Sequence, residues 1–135
     1  MVASRTPAQR AGDAAEGLVA AHLERLGWRI LARNVRIGRH ELDLVAVDPG
    51  PPGAVVAVEV RWRARRDFGL PEETFDWSKR RRMREAAFGL LDRGRLPDGE
   101  PLPRMPLRFD LVLVEPGLPG MTGARIRHHR NALAR

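Results

Sequence analysis

The chain has no cysteine, and only one of its 24 basic residues, Lys79, is a lysine. The first absence excludes disulfides, thiolate metal sites and a cysteine nucleophile, and it leaves the redox compartment open. Serine is almost as scarce: Ser4 and Ser78 alone give a serine triad very little material. Long apolar runs are missing as well. The longest spans five residues, Ala54 to Val58, against the roughly 20 that a membrane-spanning helix needs. The first ten residues, MVASRTPAQR, carry no apolar stretch of the secretory kind. These absences make a cytoplasmic protein without a membrane partner the expectation. No Gly-rich phosphate loop of the common nucleotide-binding types is present either.

What is present is arginine. Lys plus Arg outnumber Asp plus Glu by 24 to 17, for a net charge of +7. A balance of this kind points to a polyanion, nucleic acid before an anionic membrane surface. At 135 residues and 43% apolar content, the chain can build one packed core but not two. A single domain over residues 7–128 is expected, with tails at 1–6 and 129–135.

Pro and Gly punctuate the chain at Asp48–Gly53, Arg93–Pro106 and Glu115–Gly123, which read as loops. Between them the periodicities alternate. Ala15, Leu18, Val19, Leu23 and Leu26 predict a helix over Pro7 to Leu26, stopped by Gly27. Strands are expected over Trp28–Val35, Glu41–Val47 and Val55–Trp62, the last two as an antiparallel hairpin around the Pro/Gly loop. A second helix over Asp76–Asp92 would be capped by Asp76 or Ser78 and would bury Met83, Ala86, Ala87, Leu90 and Leu91. Leu107–Val114 is a fourth strand, and the segment from about Arg125 a short edge strand. The order α-β-β-β-α-β predicts an α/β fold, with helices flanking a mixed sheet.

Two strands carry acids where strands usually do not. Glu41 and Asp43 are two apart, as are Glu59 and Arg61, so alternation would place each pair on one face. A carboxylate in an apolar strand requires a partner. One solution is an ion pair with Arg39, Arg61 or Arg63. The other is a hard divalent cation, Mg²⁺ or Mn²⁺, held by several carboxylates. Spacing alone leaves both open. Glu16 lies at helical spacing from Val19, Ala20 and Leu23 and should turn toward the core. The basic residues are densest from Arg61 to Arg84, where Arg61, Arg63, Arg65, Arg66, Lys79, Arg80, Arg81, Arg82 and Arg84 face four acids. Several of them open the second helix, where the helix dipole disfavours cations, which suggests phosphate contacts. A solvated helix face is the plainer alternative. His40 flanks the acidic strand within reach of a substrate, whereas His128 and His129 fall in the expected tail.

Five segments in this order, AGDAAEGLVAAHL, GWRILARNVR, HELDLVAVD, VAVEVRWR and FGLPEETFDWSKRRRMREAA, resemble the YraN family of small bacterial proteins. The resemblance runs from about Gly12 to Val114. It implies a restriction-endonuclease-like fold similar to that of Holliday-junction resolvases, with an acid on one strand and Glu-x-Lys on the next. By that resemblance Asp43 and Glu59 bind a Mg²⁺ or Mn²⁺ ion, Glu16 completes the site, and Glu41 is the acid that precedes the signature aspartate. Lys79 falls where the family has a lysine opening its second helix. The implied activity is metal-dependent cleavage of DNA phosphodiesters, with branched DNA as the substrate that the resolvase likeness suggests, by a homodimer. This chain departs from the pattern at Arg61, which stands at the signature lysine, and at His40, where glycine is common. Arginine cannot serve as a base, although it can balance charge on the phosphate. A non-catalytic DNA- or RNA-binding module on the same fold is therefore the alternative.

Overall fold

The fold was obtained as a computed structural model that describes residues 6–63, 77–117, 119–120 and 123–132, without the side chains of residues 8 and 77–79. Its elements are α1 (Pro7–Arg25), β1 (Arg29–Ile37), β2 (His40–Asp48), β3 (Ala54–Trp62), α2 (Trp77–Arg93), β4 (Leu107–Pro116) and β5 (Ala124–His129). The expected α-β-β-β-α-β order is present, followed by the short fifth strand. The sheet order is β1-β2-β3-β4-β5. β3 and β4 run parallel while the other neighbours are antiparallel, so the sheet is mixed. α2 provides the crossover that two parallel strands require.

α1 starts with a capping box that the sequence reading did not use. Thr6 Oγ1 accepts the Gln9 N–H at 3.1 Å, and Gln9 Oε1 accepts the Thr6 N–H at 2.8 Å. This satisfies two donors that a helix start would otherwise leave open, and Pro7 at the first helical position has no N–H to satisfy. The buried face is Ala15, Glu16, Val19, Ala20 and Leu23. Leu18 and Leu26, expected in that stripe, are 46% and 50% exposed. Leu18 lies on the far side of the helix, and Leu26 comes after its last turn. Glu16 lies on the packed face, as its helical spacing from Val19, Ala20 and Leu23 predicts.

Two apolar layers cover the sheet. With α2 pack Val35, Ile37, Leu42, Val45, Val55, Ala57, Phe109, Leu111 and Leu113. With α1 pack Leu44, Ala46, Val56, Val58, Val112 and Val114. α2 can approach β1 closely because Gly89 faces Ile37, whose Cγ2 would lie 2.5 Å from a Cβ at that position. Leu91, also expected on the buried stripe of α2, is 42% exposed. The expected N-caps of α2, Asp76 and the Ser78 side chain, lie outside the described residues.

β1 carries an irregularity between Ile30 and Ala32, and a further break in the alternation of faces positions the site. Leu42 packs on the α2 side but Leu44 on the α1 side, although they are two residues apart. Across from them Arg33 pairs with Leu44 and Val35 with Leu42, and Asn34 between them has a φ of +52°. A left-handed residue inside a strand re-aims its neighbours, and asparagine tolerates that conformation better than most.

A second polar cluster ties the chain's end to the sheet. Asp110 is fully buried on β4. It accepts Arg108 Nε and Nη2 at 2.9 Å each and the Asn131 N–H at 2.9 Å, with His128 Nε2 at 2.7 Å. Arg108 also reaches Asp48 at 2.9 Å, and Trp28 packs edge-on against the His128 ring. The Ala132 N–H bonds to Phe109 O at 2.6 Å. His128 and the first residues of the expected tail are therefore fixed rather than loose, because a buried aspartate needs their donors.

Candidate metal and nucleic-acid site

Pairing between β2 and β3 runs from Asp48↔Ala54 to Leu44↔Val58. Beyond that point Asp43 supplies the acceptor, its Oδ2 taking the Val60 N–H at 2.8 Å. Its remaining partners are acidic. The Glu59 carboxyl on β3 and the Glu16 carboxyl on α1 lie close enough to Asp43 to perturb its ionisation. Three carboxyls from three elements thus meet where two strands part. Glu41, two residues before Asp43, is exposed and lines the cavity onto which Glu59 opens.

Like charges that are crowded and partly dehydrated hold protons. Burial, followed by the Asp43 charge, raises Glu16 to about 7, opposed by the nearby Arg33. Burial and the Glu59 charge raise Asp43 to about 7, opposed by the Val60 N–H. Glu16 Oε2 is buried without a hydrogen-bond partner. Three carboxylates with an open oxygen are a donor set that suits Mg²⁺ or Mn²⁺. Among the described residues no three His, Cys, Asp or Glu side chains are placed so that they could hold a metal ion as they stand. A cation would have to displace the protons that crowding favours here and turn the carboxyls toward itself.

Glu59 opens into a cavity of about 200 Å³ between β2, β3 and α2, which Arg39, His40 and Arg82 also line. His40 Nε2 lies 3.4 Å from Glu85 Oε2, and Glu85 Oε1 lies 3.4 Å from Arg81 Nε. Arg61 is half-buried on β3 opposite Leu113 and is engaged within the fold, as is Arg63 at the end of that strand. The basic residues of α2 divide among surfaces. Arg82 faces the Glu59 cavity, Arg81 pairs with Glu85, and Arg84 lines a different groove. Arg80 is half-buried and engaged. Arg65, Arg66 and the Lys79 side chain lie outside the described residues. Sequence reasoning missed Arg33 and Glu85, which come near the site only through the fold, and had named Arg39 only as an ion-pair partner for a strand acid.

The architecture defines a class: a small α/β protein whose mixed sheet carries a partly buried carboxyl row at a strand fork, flanked by arginines. Residues 15–114 match the model of the uncharacterised protein family UPF0102. A UPF0102 protein of Symbiobacterium thermophilum is 41% identical over 118 residues, covering 87% of this chain and 92% of its relative. One of Desulforamulus reducens is 34% identical over 90% of this chain and 93% of its own length. One of Deinococcus radiodurans is 36% identical over 85% and 88%. The chain belongs to the UPF0102 family, which is the YraN family of the resemblance.

Proposed function

We propose that this chain is a Mg²⁺- or Mn²⁺-dependent, nuclease-like protein that binds DNA and hydrolyses its phosphodiesters. The observation that carries the reading is the meeting of Glu16, Asp43 and Glu59 at the β2–β3 fork. Crowding three carboxyls at a strand fork, Glu16 buried and Asp43 and Glu59 half-buried, is costly to keep for stability alone. Asp43 and Glu59, helped by Glu16, would hold the cation. When bound, the ion supplies a water of lowered pKa and charge stabilisation on the phosphate.

The chain's own groups account for the remaining requirements. Arg61, two residues after Glu59, balances charge as the phosphate becomes pentacovalent, but its pKa is too high to accept a proton. The proton of the attacking water must then go to a carboxylate, and Glu16, with a pKa of about 7 and an open Oε2, suits that role. Arg33 on one side of the row and Arg39 and Arg82 on the other are placed to grip neighbouring phosphates. Branched DNA as the substrate rests on the resolvase resemblance. Among the described residues no helix is long and apolar enough to cross a membrane.

The second reading, a binding module without catalysis, is favoured by Arg61 at the signature lysine and by carboxyls whose crowding holds protons on them. One assay separates the two. The protein is incubated with four-way-junction, duplex and single-stranded DNA, with Mg²⁺, Mn²⁺ or EDTA, beside Asp43→Asn and Arg61→Lys. Metal-dependent cutting that Asp43→Asn abolishes supports the nuclease. Binding without cutting, with Arg61→Lys active, identifies a disabled nuclease. Neither cutting nor salt-sensitive binding overturns both.

A further inference from the structure

α2 turns Met83, Ala86, Ala87 and Leu90 into the fold, and at about 100° per residue Phe88 points almost directly away from that face. Phe88 is 60% exposed, and Leu91, nearly one turn later, is partly exposed beside it. The pair rims a groove of about 440 Å³ whose floor includes Ala87, Leu107 and Phe109. The ring sits in a largely apolar groove rather than among the arginines of the Glu59 cavity that would meet a phosphate backbone. Apolar side chains grouped in this way mark a protein interaction surface.

The charges around Phe88 select the partner. Arg84 lies four residues before it and Asp92 four residues after it, and both are exposed. Neither takes part in an ion pair among the described residues. In an antiparallel pair of α2 helices with Phe88 on the two-fold axis, Arg84 of each copy is level with Asp92 of the other. A parallel pair would set Arg84 against Arg84. The Arg84–Asp92 stripe carries no net charge, so two copies of a chain with a net charge of +7 can approach along it without the repulsion expected elsewhere. A surface that is its own complement about an axis is what a two-fold dimer requires.

We propose that the outer face of α2 joins two copies of this chain in an antiparallel helix pair. Phe88 and Leu91 form its apolar centre, and reciprocal Arg84–Asp92 pairs set its direction. The pairing is independent of what the carboxyl row does, because none of these four residues belongs to that row.

Sedimentation equilibrium on the full chain tests it, with far-UV circular dichroism to establish that each variant is folded. The wild type should show a concentration-dependent monomer–dimer equilibrium. Phe88→Ser and Arg84→Glu should each weaken it by about tenfold or more. The double variant Arg84→Glu/Asp92→Arg restores the pairs in reverse and should regain most of the affinity. A wild type that stays monomeric at hundreds of micromolar overturns the proposal. So does a Phe88→Ser variant that dimerises like wild type, or a charge swap that fails to recover.

Discussion

The Asp43 carboxylate accepts the backbone N–H of Val60 at 2.8 Å, standing in for the strand partner that β3 loses beyond Val58. A side chain thus ends a ladder that backbone groups would otherwise continue. The same bond fixes Asp43 between Glu16 and Glu59. Structure and chemistry are therefore coupled at one atom, and the consequences can be measured separately.

The first is a pH dependence of stability. Asp43 is raised from 3.8 to about 7 and Glu16 from 4.5 to about 7, so between these limits the folded chain binds more protons than the unfolded one. Stability from these groups is complete below about pH 4 and falls as the pH rises toward 7. Asn at position 43 keeps an acceptor for Val60 but cannot ionise. Asp43→Asn should be more stable than wild type at pH 8 by on the order of 1–2 kcal/mol. At pH 4 the difference should vanish. Urea unfolding at the two pH values checks this, and an equal loss of stability at both would sink it.

Cation binding should release protons, because Mg²⁺ or Mn²⁺ competes with those held on Glu16 and Asp43. Affinity should rise from pH 6 to pH 8, and the calorimetric heat at pH 7 should change with the ionisation enthalpy of the buffer. Glu59→Gln should abolish the heat. A signal that survives in Glu59→Gln would place the ion elsewhere.

The arginines of α2 should not contribute equally to DNA binding. Arg82 faces the Glu59 cavity, whereas Arg81 is held by Glu85. Arg82→Ala should lower the slope of log K against log salt by about 1 and weaken binding to all sequences alike. Arg81→Ala should change it less. Fluorescence anisotropy over a salt series distinguishes the two, and equal slopes would show that the cavity does not face the DNA.

Much of this was legible in the chain. Apolar periods located every element to within a few residues, and the two-residue hydrophobic steps of β2 and β3 exposed their acids. Two features were not legible. Asn34 turns left-handed inside β1 and swaps the faces of both strands, so Arg33 comes to lie near Glu16. No local pattern announces that, since ILARNVRI reads as an ordinary strand. The other is Leu18, expected in the buried stripe of α1 but lying on the far side of the helix and exposed. Hydrophobicity alone assigned it to the core, whereas the spacing of Glu16 from Val19, Ala20 and Leu23 did place that acid on the packed face.

Asp110, the most deeply buried acid among the described residues, sits on a strand as Asp43 does, and nothing in LRFDLVLV sets the two apart. Its environment does. Arg108, His128 and the Asn131 N–H all face it, and their hydrogen bonds hold its carboxyl below the usual range despite burial. Asp43 has acidic neighbours and moves the other way. Removing the Asp110 carboxylate would leave Arg108 with half its partners and free the segment from His128 to Ala132. Asp110→Ala should therefore cost about 3–5 kcal/mol, against a gain for Asp43→Asn at pH 8. Because its folded pKa is lowered, the stability it supplies is present above the unfolded value near 4 and is lost as the pH falls below it. Urea unfolding of the two variants at pH 8 should give shifts of opposite sign. Shifts of the same sign would mean that the two acids serve the fold alike, and that the carboxyl row at the strand fork is an ordinary structural feature.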